Sequence, residues 1–150
     1  MLSNPLLEAA RCDLGFASFG VNSGDDGFVG SAGFHVQQAV ENTLKASLAY
    51  YGVEYKKTHD ITSLLQMVSK TEDWIPEELW DELELSAPLL TSWKSRQRYG
   101  ETGPYLIAVR TVAKQLKLAT ELHWVAVKLF EESKVSENAP TPTLKLMQLE

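Results

Sequence analysis

Three histidines, a small set of cations and one cysteine are the residues of this chain whose types and spacing could do chemistry. His35 stands in the run Ala32–Tyr51, AGFHVQQAVENTLKASLAYY, where Gln38, Glu41, Asn42 and Lys45 fall on its side of a helical period. An imidazole, an amide and an ammonium on one helix face can hydrogen-bond a phosphorylated ligand. Lys94, Arg96, Arg98 and Tyr99 gather at the end of a later helical stretch, adding cations for phosphate and a ring on which a base can stack. If the two stretches pack antiparallel, His35, Gln38 and Lys45 meet Lys94, Arg98 and Tyr99 in one cluster suited to a nucleotide. The competing reading is structural: Glu41 and Lys45 form an i,i+4 pair on a solvated face, worth only about 0.2–0.5 kcal/mol, and Tyr99 packs a turn.

The other reactive residues point away from chemistry. His59, in Lys57-Thr58-His59-Asp60-Ile61, has no second His or Cys at ligand spacing, so it reads as a residue of a helix entry rather than a metal ligand or base. His123 lies on an apolar stripe, and a buried or interface histidine held by one hydrogen bond outweighs a catalytic one without an activating neighbour. Cys12 is the only cysteine, which excludes a disulfide framework and a Cys-based metal site and fits a reducing compartment. The glycine-rich run Asn22–Gly33 lacks the lysine of a phosphate-binding loop and follows a helix rather than a strand. No G-x-S-x-G, H-E-x-x-H or paired-carboxylate motif occurs, so no metal and no cofactor is expected.

These residues need helices to position them. Asn4-Pro5 predicts a capped helix over about Pro5–Phe19, and the four glycines of 22–33 predict a mobile connection after it. Val36, Val40, Leu44, Leu48 and Tyr51 then form the core stripe of a helix that stops at Gly52. Thr58 or Asp60 caps a short helix through about Ser69. Pro76 opens a fourth, with Trp80, Leu83, Ala87, Leu90 and Trp93 as its stripe and Pro88 bending it without ending it. The last runs from about Pro104 to Lys134 on Val109, Val112, Ala113, Leu116, Ala119, His123, Val127 and Phe130. Without strand-like alternation, this order predicts an all-α fold, an up-and-down antiparallel bundle of four to five helices over residues 1–135. Residues 136–150 form a tail closed by Leu144, Leu146, Met147 and Leu149.

Composition narrows the functions. With 150 residues, 44% of them apolar, one domain can bury a real core. A formal net charge of −6 disfavours avid, sequence-independent binding to nucleic acid, though a local basic patch can act against it. No stretch reaches the roughly 20 apolar residues of a membrane span and no signal-like segment opens the chain, so a soluble cytoplasmic protein is expected.

The run H-x-x-Q-A-x-E-x-x-L-K-A, here His35, Gln38, Ala39, Glu41, Leu44, Lys45 and Ala46, resembles the second helix of the HEPN family, small helical bundles often found beside nucleotidyltransferases. Lys57-Thr58-His59-Asp60-Ile61-x-x-Leu64-Leu65 is similar to the family's K-T-H-D-L-x-x-L-L signature, and Arg98-Tyr99 to its R-Y at the same helix end. The resemblance implies a bundle that commonly pairs as a homodimer, with nucleotide binding or RNA cleavage as activities and a nucleotidyltransferase as a partner. The family's ribonucleases carry R-x(4–6)-H on a late helix, where arginine stabilises phosphate charge and histidine moves protons. Here that motif is broken. Lys117 and apolar neighbours precede His123 at the matching distance, Arg110 is too far upstream, and neither Arg96 nor Arg98 is followed by a nearby histidine. A lysine lacks the bidentate fork that grips phosphate. The expected function is therefore a non-catalytic module, dimeric, holding a nucleotide or RNA end or pairing with a nucleotidyltransferase. The alternative is a toxin-type ribonuclease with a degenerate site at His123. Trp124, Val125 and Leu129 suggest that the homodimer buries part of the last helix.

Overall fold

Asn4 starts the first helix, its side-chain carbonyl accepting the backbone N–H groups of Leu6 at 2.9 Å and Leu7 at 3.0 Å. The computed structural model describes residues 4–99 and 109–138, with side chains within 4–94 and 109–133. Among these residues the chain forms five helices and no strand: α1 (Pro5–Asn22), α2 (Asp26–Tyr50), α3 (Ile61–Val68), α4 (Glu77–Tyr99) and α5 (Val109–Asn138). None of the described helices is long and apolar enough to cross a membrane. The expected tail and the start of the last helix near Pro104 lie, in whole or large part, outside the described residues.

The expectation of a mobile connection over 22–33 is corrected. Only Ser23–Asp25 join α1 to α2, and residues 26–33 are helical. Asp25 caps α2, its Oδ1 accepting from the N–H of Gly27 at 2.8 Å and Phe28 at 3.2 Å. Val29, Ala32 and Gly33 are then buried against the bundle, and that burial outweighs the low helix propensity of the glycines. Gly20 shows what the small residues are for: a Cβ there would lie 2.5 Å from the Phe28 carbonyl oxygen and 2.9 Å from the Ala32 Cβ. The two helices touch backbone to backbone at that level.

The remaining boundaries follow the capping signals. Tyr51 closes α2 and Gly52 follows in the left-handed region, φ 70°. Asp60 caps α3, accepting from the Thr62 N–H at 3.0 Å. Thr91 Oγ1 accepts from the Ile61 N–H at 3.0 Å and donates to the Ala87 carbonyl at 2.9 Å, tying the start of α3 to α4 beside Pro88. α4 is continuous through Pro88, as expected.

α2 is the central helix, in contact with all four others. Its Val36, Val40, Leu44 and Leu48 meet Leu83, Ala87, Leu90 and Trp93 of α4 and Val112, Ala119 and Leu122 of α5 in one core. The contacts Asp13 to His35 and Phe19 to Phe28 run α1 and α2 antiparallel. The stripe expected for α5 holds at Val112 and Ala119 and is off by about one residue elsewhere. The buried line is Val112, Gln115, Ala119, Leu122 and Ala126, whereas Val109 is exposed and Leu116, His123, Val127 and Phe130 are half-buried. Small side chains at 119 and 126 let α5 press close, and the larger ones flank the contact.

Candidate functional site

Because α2 packs against all four other helices, Gln37, Glu41, Thr43 and Ser47 are buried, while His35, Gln38, Asn42 and Lys45 are half-buried. Gln37, Glu41, Leu44 and Leu48 recur at spacings of four, three and four, so the first two continue the buried line of the last two. The Glu41 carboxylate accepts from Gln37 Nε2 at 2.8 Å and from Lys45 Nζ at 2.9 Å, and both its oxygens lie 3.1 Å from His59 Nδ1. The i,i+4 pair expected from sequence is present, but its lysine side chain is only 11% exposed and it belongs to a four-residue knot. Burial is the largest single effect on Glu41 and pushes its carboxyl up. Hydrogen bonds from Lys45, Gln37 and His59, with the charge of Lys45, together hold it below the ordinary range. Lys45 also stands 5.9 Å from the Tyr55 ring. The knot fastens the α2–α3 connection to the core and occupies Lys45 with an internal carboxylate.

A different arrangement stands at the corner of α1, α2 and α4. His35 Nδ1 lies 2.8 Å from Asp13 Oδ1, with the Phe16 ring 5.2 Å away at 30° and the Phe34 ring edge-on at 5.6 Å. Lys94 Nζ sits 5.1 Å from the centroid of Phe34, and its charge also acts on Asp13. Burial pushes the Asp13 carboxyl up, more than the hydrogen bond and charge of His35 and the charge of Lys94 pull it down. Asp13 fixes the imidazole through Nδ1, leaving Nε2 of a partly exposed ring, with no partner among the described residues, for a ligand.

The six residues expected to form one binding cluster are thus divided. His35 and Lys94 converge on Asp13 and Phe34. Lys45 is ten residues along α2 from His35, about 15 Å at 1.5 Å per residue, and engaged with Glu41. Gln38 is half-buried and makes no side-chain hydrogen bond among the described residues. The backbone of α4 carries Arg98 and Tyr99, but their side chains lie outside the described residues. Asp13, Gln37 and His59 are contributors that sequence reasoning did not assign. The 37–41–44–48 spacing could have placed Gln37, whereas nothing in the sequence marks Asp13 as the partner of His35.

His123 is half-buried with Nε2 3.0 Å from the Leu7 carbonyl oxygen. Lys117 lines a different groove, between α4 and α5, with Glu78, Glu82, Lys114 and Glu121. A cavity of about 430 Å³ between α3 and α4 is walled by Trp74 and Trp80 and rimmed by Glu72, Asp73, Glu77, Asp81 and Glu84, so its charge opposes a phosphate. No group of three or more His, Cys, Asp or Glu among the described residues is placed to hold a metal ion.

No curated protein matches the chain. Among solved structures it is similar to TT1696 from Thermus thermophilus, at 27% identity and a TM-score of 0.59, covering 82% of this chain and 94% of that one. The arrangement of five packed helices agrees with a second, independent match, to the model of the HEPN domain over residues 6–130. The chain belongs to the HEPN domain family.

Proposed function

We propose that the chain is a non-catalytic HEPN module that binds a nucleotide or an RNA end at the corner of α1, α2 and α4. The observation that supports the reading is the convergence of His35 and Lys94, from two helices, on Asp13 and Phe34. An oriented imidazole can donate to or accept from a phosphate or a base, and an ammonium beside it supplies charge for phosphate. Arg98 stands one helical turn after Lys94 in α4, where a second cation would reinforce the first. In the same reading the chain works beside a nucleotidyltransferase, the enzyme class next to which HEPN bundles are often found.

The non-catalytic part rests on His123. One of its ring nitrogens is taken by the Leu7 carbonyl, and Lys117, the cation at the position of the family's arginine, lines another groove. Calorimetry with nucleoside phosphates and short single-stranded RNAs tests the binding. Weak affinity is expected, reduced by about 1.5–3 kcal/mol in Lys94→Ala or Arg98→Ala, the range for a charge-assisted hydrogen bond, without an equal loss of fold stability. Absence of binding across the panel at millimolar concentration would remove the site assignment.

A further inference from the structure

The cavity between α3 and α4 plays no part in the corner site, yet its volume of about 430 Å³ is that of a small-ligand pocket. Glu77, Trp80, Asp81 and Glu84 recur at spacings of three, one and three, so one stripe of α4 lines it with three carboxylates and an indole. Val68 and Ile75 add apolar lining, and Glu72, Asp73 and Trp74 come from the α3–α4 connection. Both tryptophans also pack on the hydrophobic core, so their rings are held in place before any ligand arrives.

Charge selects what such a cavity can take. No lysine, arginine or histidine lines it, and residues 71–93 carry seven acids and no cation. Among the described residues none of Glu72, Asp73, Glu77, Asp81 and Glu84 has an ion pair, so five carboxylates repel one another with nothing inside the chain to answer them. A cleft lined by one sign of charge concentrates ligands of the other sign. A bare divalent metal fits poorly: it needs several oxygens converging at about 2.0–2.6 Å, and no three acids among the described residues are so placed. An extended organic cation fits better, its apolar stem lying on the indoles and its charge meeting the carboxylates, with the ring faces themselves attracting it. Trp74 adds a further requirement. Its indole Nε1–H is buried without a hydrogen-bond partner among the described residues, an unmet donor on a wall residue that a carbonyl oxygen brought in beside it would satisfy. Cationic head, apolar stem and carbonyl occur together in an arginine or lysine residue.

We infer that this cavity is a recognition site for a basic amino-acid residue, arginine or lysine, whether it arrives as a small molecule or within a partner's chain. The inference does not depend on nucleotide binding at the corner, because Trp80 and Lys94 are fourteen residues apart on α4, about 21 Å. Calorimetry on the full chain with N-acetylargininamide, and with a short peptide carrying one central arginine, tests it. Saturable binding of both is expected; a tighter peptide marks a partner's chain as the source, and equal binding marks the single residue as sufficient. Spermidine, a cation without a carbonyl, should bind more weakly, and neutral N-acetylglutaminamide should not bind. Asp81→Asn combined with Glu84→Gln should weaken binding by roughly tenfold, and Trp80→Leu by about two- to fivefold. The charge-matched pair Glu78→Gln and Glu121→Gln, in the groove between α4 and α5, should leave binding unchanged. Circular dichroism melts separate lost binding from lost fold: Asp81 and Glu84 are exposed, so their double variant should melt at or above the wild type. No saturable binding of either arginine probe at millimolar concentration, binding that survives Asp81→Asn with Glu84→Gln, a loss shared equally by the charge-matched pair, or spermidine binding as tightly as the arginine probes would overturn the assignment.

Discussion

Replacing Glu41 by glutamine keeps the size of the side chain and removes its charge, so it isolates what the buried knot contributes. The carboxylate accepts from Gln37, Lys45 and His59. A hydrogen bond to a charged group is worth about 1.5–3 kcal/mol and a neutral one about 0.5–1.5, so the contacts with Lys45 and His59 should each lose about 1 kcal/mol. The new amide also turns a donor toward a neighbour that is itself a donor. Deleting one member of a buried ion pair costs about 3–5 kcal/mol, but the flexible stem of Lys45 lets its ammonium move outward and recover part of that. Glu41→Gln should therefore destabilise the fold by about 2–4 kcal/mol in urea denaturation at neutral pH. Because the folded chain holds Glu41 below the ordinary carboxylate range, its stabilisation is complete above that range and lost as pH falls through the depressed value. The difference between wild type and Glu41→Gln should close in acid. A loss under about 1 kcal/mol, or a gap that does not narrow at low pH, would refute the reasoning.

Asp13 should show the opposite sign. Its carboxyl is held above the ordinary range, so its contribution is largest at low pH and lost as pH rises through the raised value, and Asp13→Asn should remove that dependence in the same denaturation series. Gly20→Ala should destabilise by about 1–3 kcal/mol, because its methyl would press on the Phe28 carbonyl and Ala32; a neutral effect would show that α1 and α2 separate easily there. His123→Ala should lower the melting temperature through the lost bond to Leu7 and leave RNA untouched, since the wild type itself should not cleave single-stranded RNA above background. Specific cleavage abolished by that substitution would restore the ribonuclease reading.

Helix caps were legible because their chemistry is local: Asn4, Asp60 and Gly52 act where the sequence places them. The start of α2 was not, because glycines at 24, 27, 30 and 33 signal a loop until one knows that α1 packs on that segment and that Gly20 admits its backbone. Burial of Gln37 and Glu41 was hidden by the rule that a polar stripe faces water. That rule fails where the α2–α3 connection covers α2, and there a buried charge persists because Lys45 and His59 answer it. The α5 register held at Val112 and Ala119 but slipped elsewhere because Gln115, Leu122 and Ala126 complete its close contact, while Leu116, His123, Val127 and Phe130 lie beside it. His35 and Lys94 were identifiable as candidates from spacing, but Asp13, twenty-two residues from His35, becomes their neighbour only through the α1–α2 hairpin.

The site at that corner is tested most directly by following the imidazole resonances of His35, His59 and His123 by nuclear magnetic resonance while a nucleoside phosphate is titrated into the full chain. Three histidines in three surroundings give an internal control: His35 is paired with Asp13, His59 with Glu41 and His123 with the Leu7 carbonyl. The expected result is a saturable shift of the His35 signals, lost in Lys94→Ala, with His59 and His123 unmoved. Saturable shifts at His123 or His59 with His35 unchanged, or no shift at any of the three at millimolar ligand, would contradict the account.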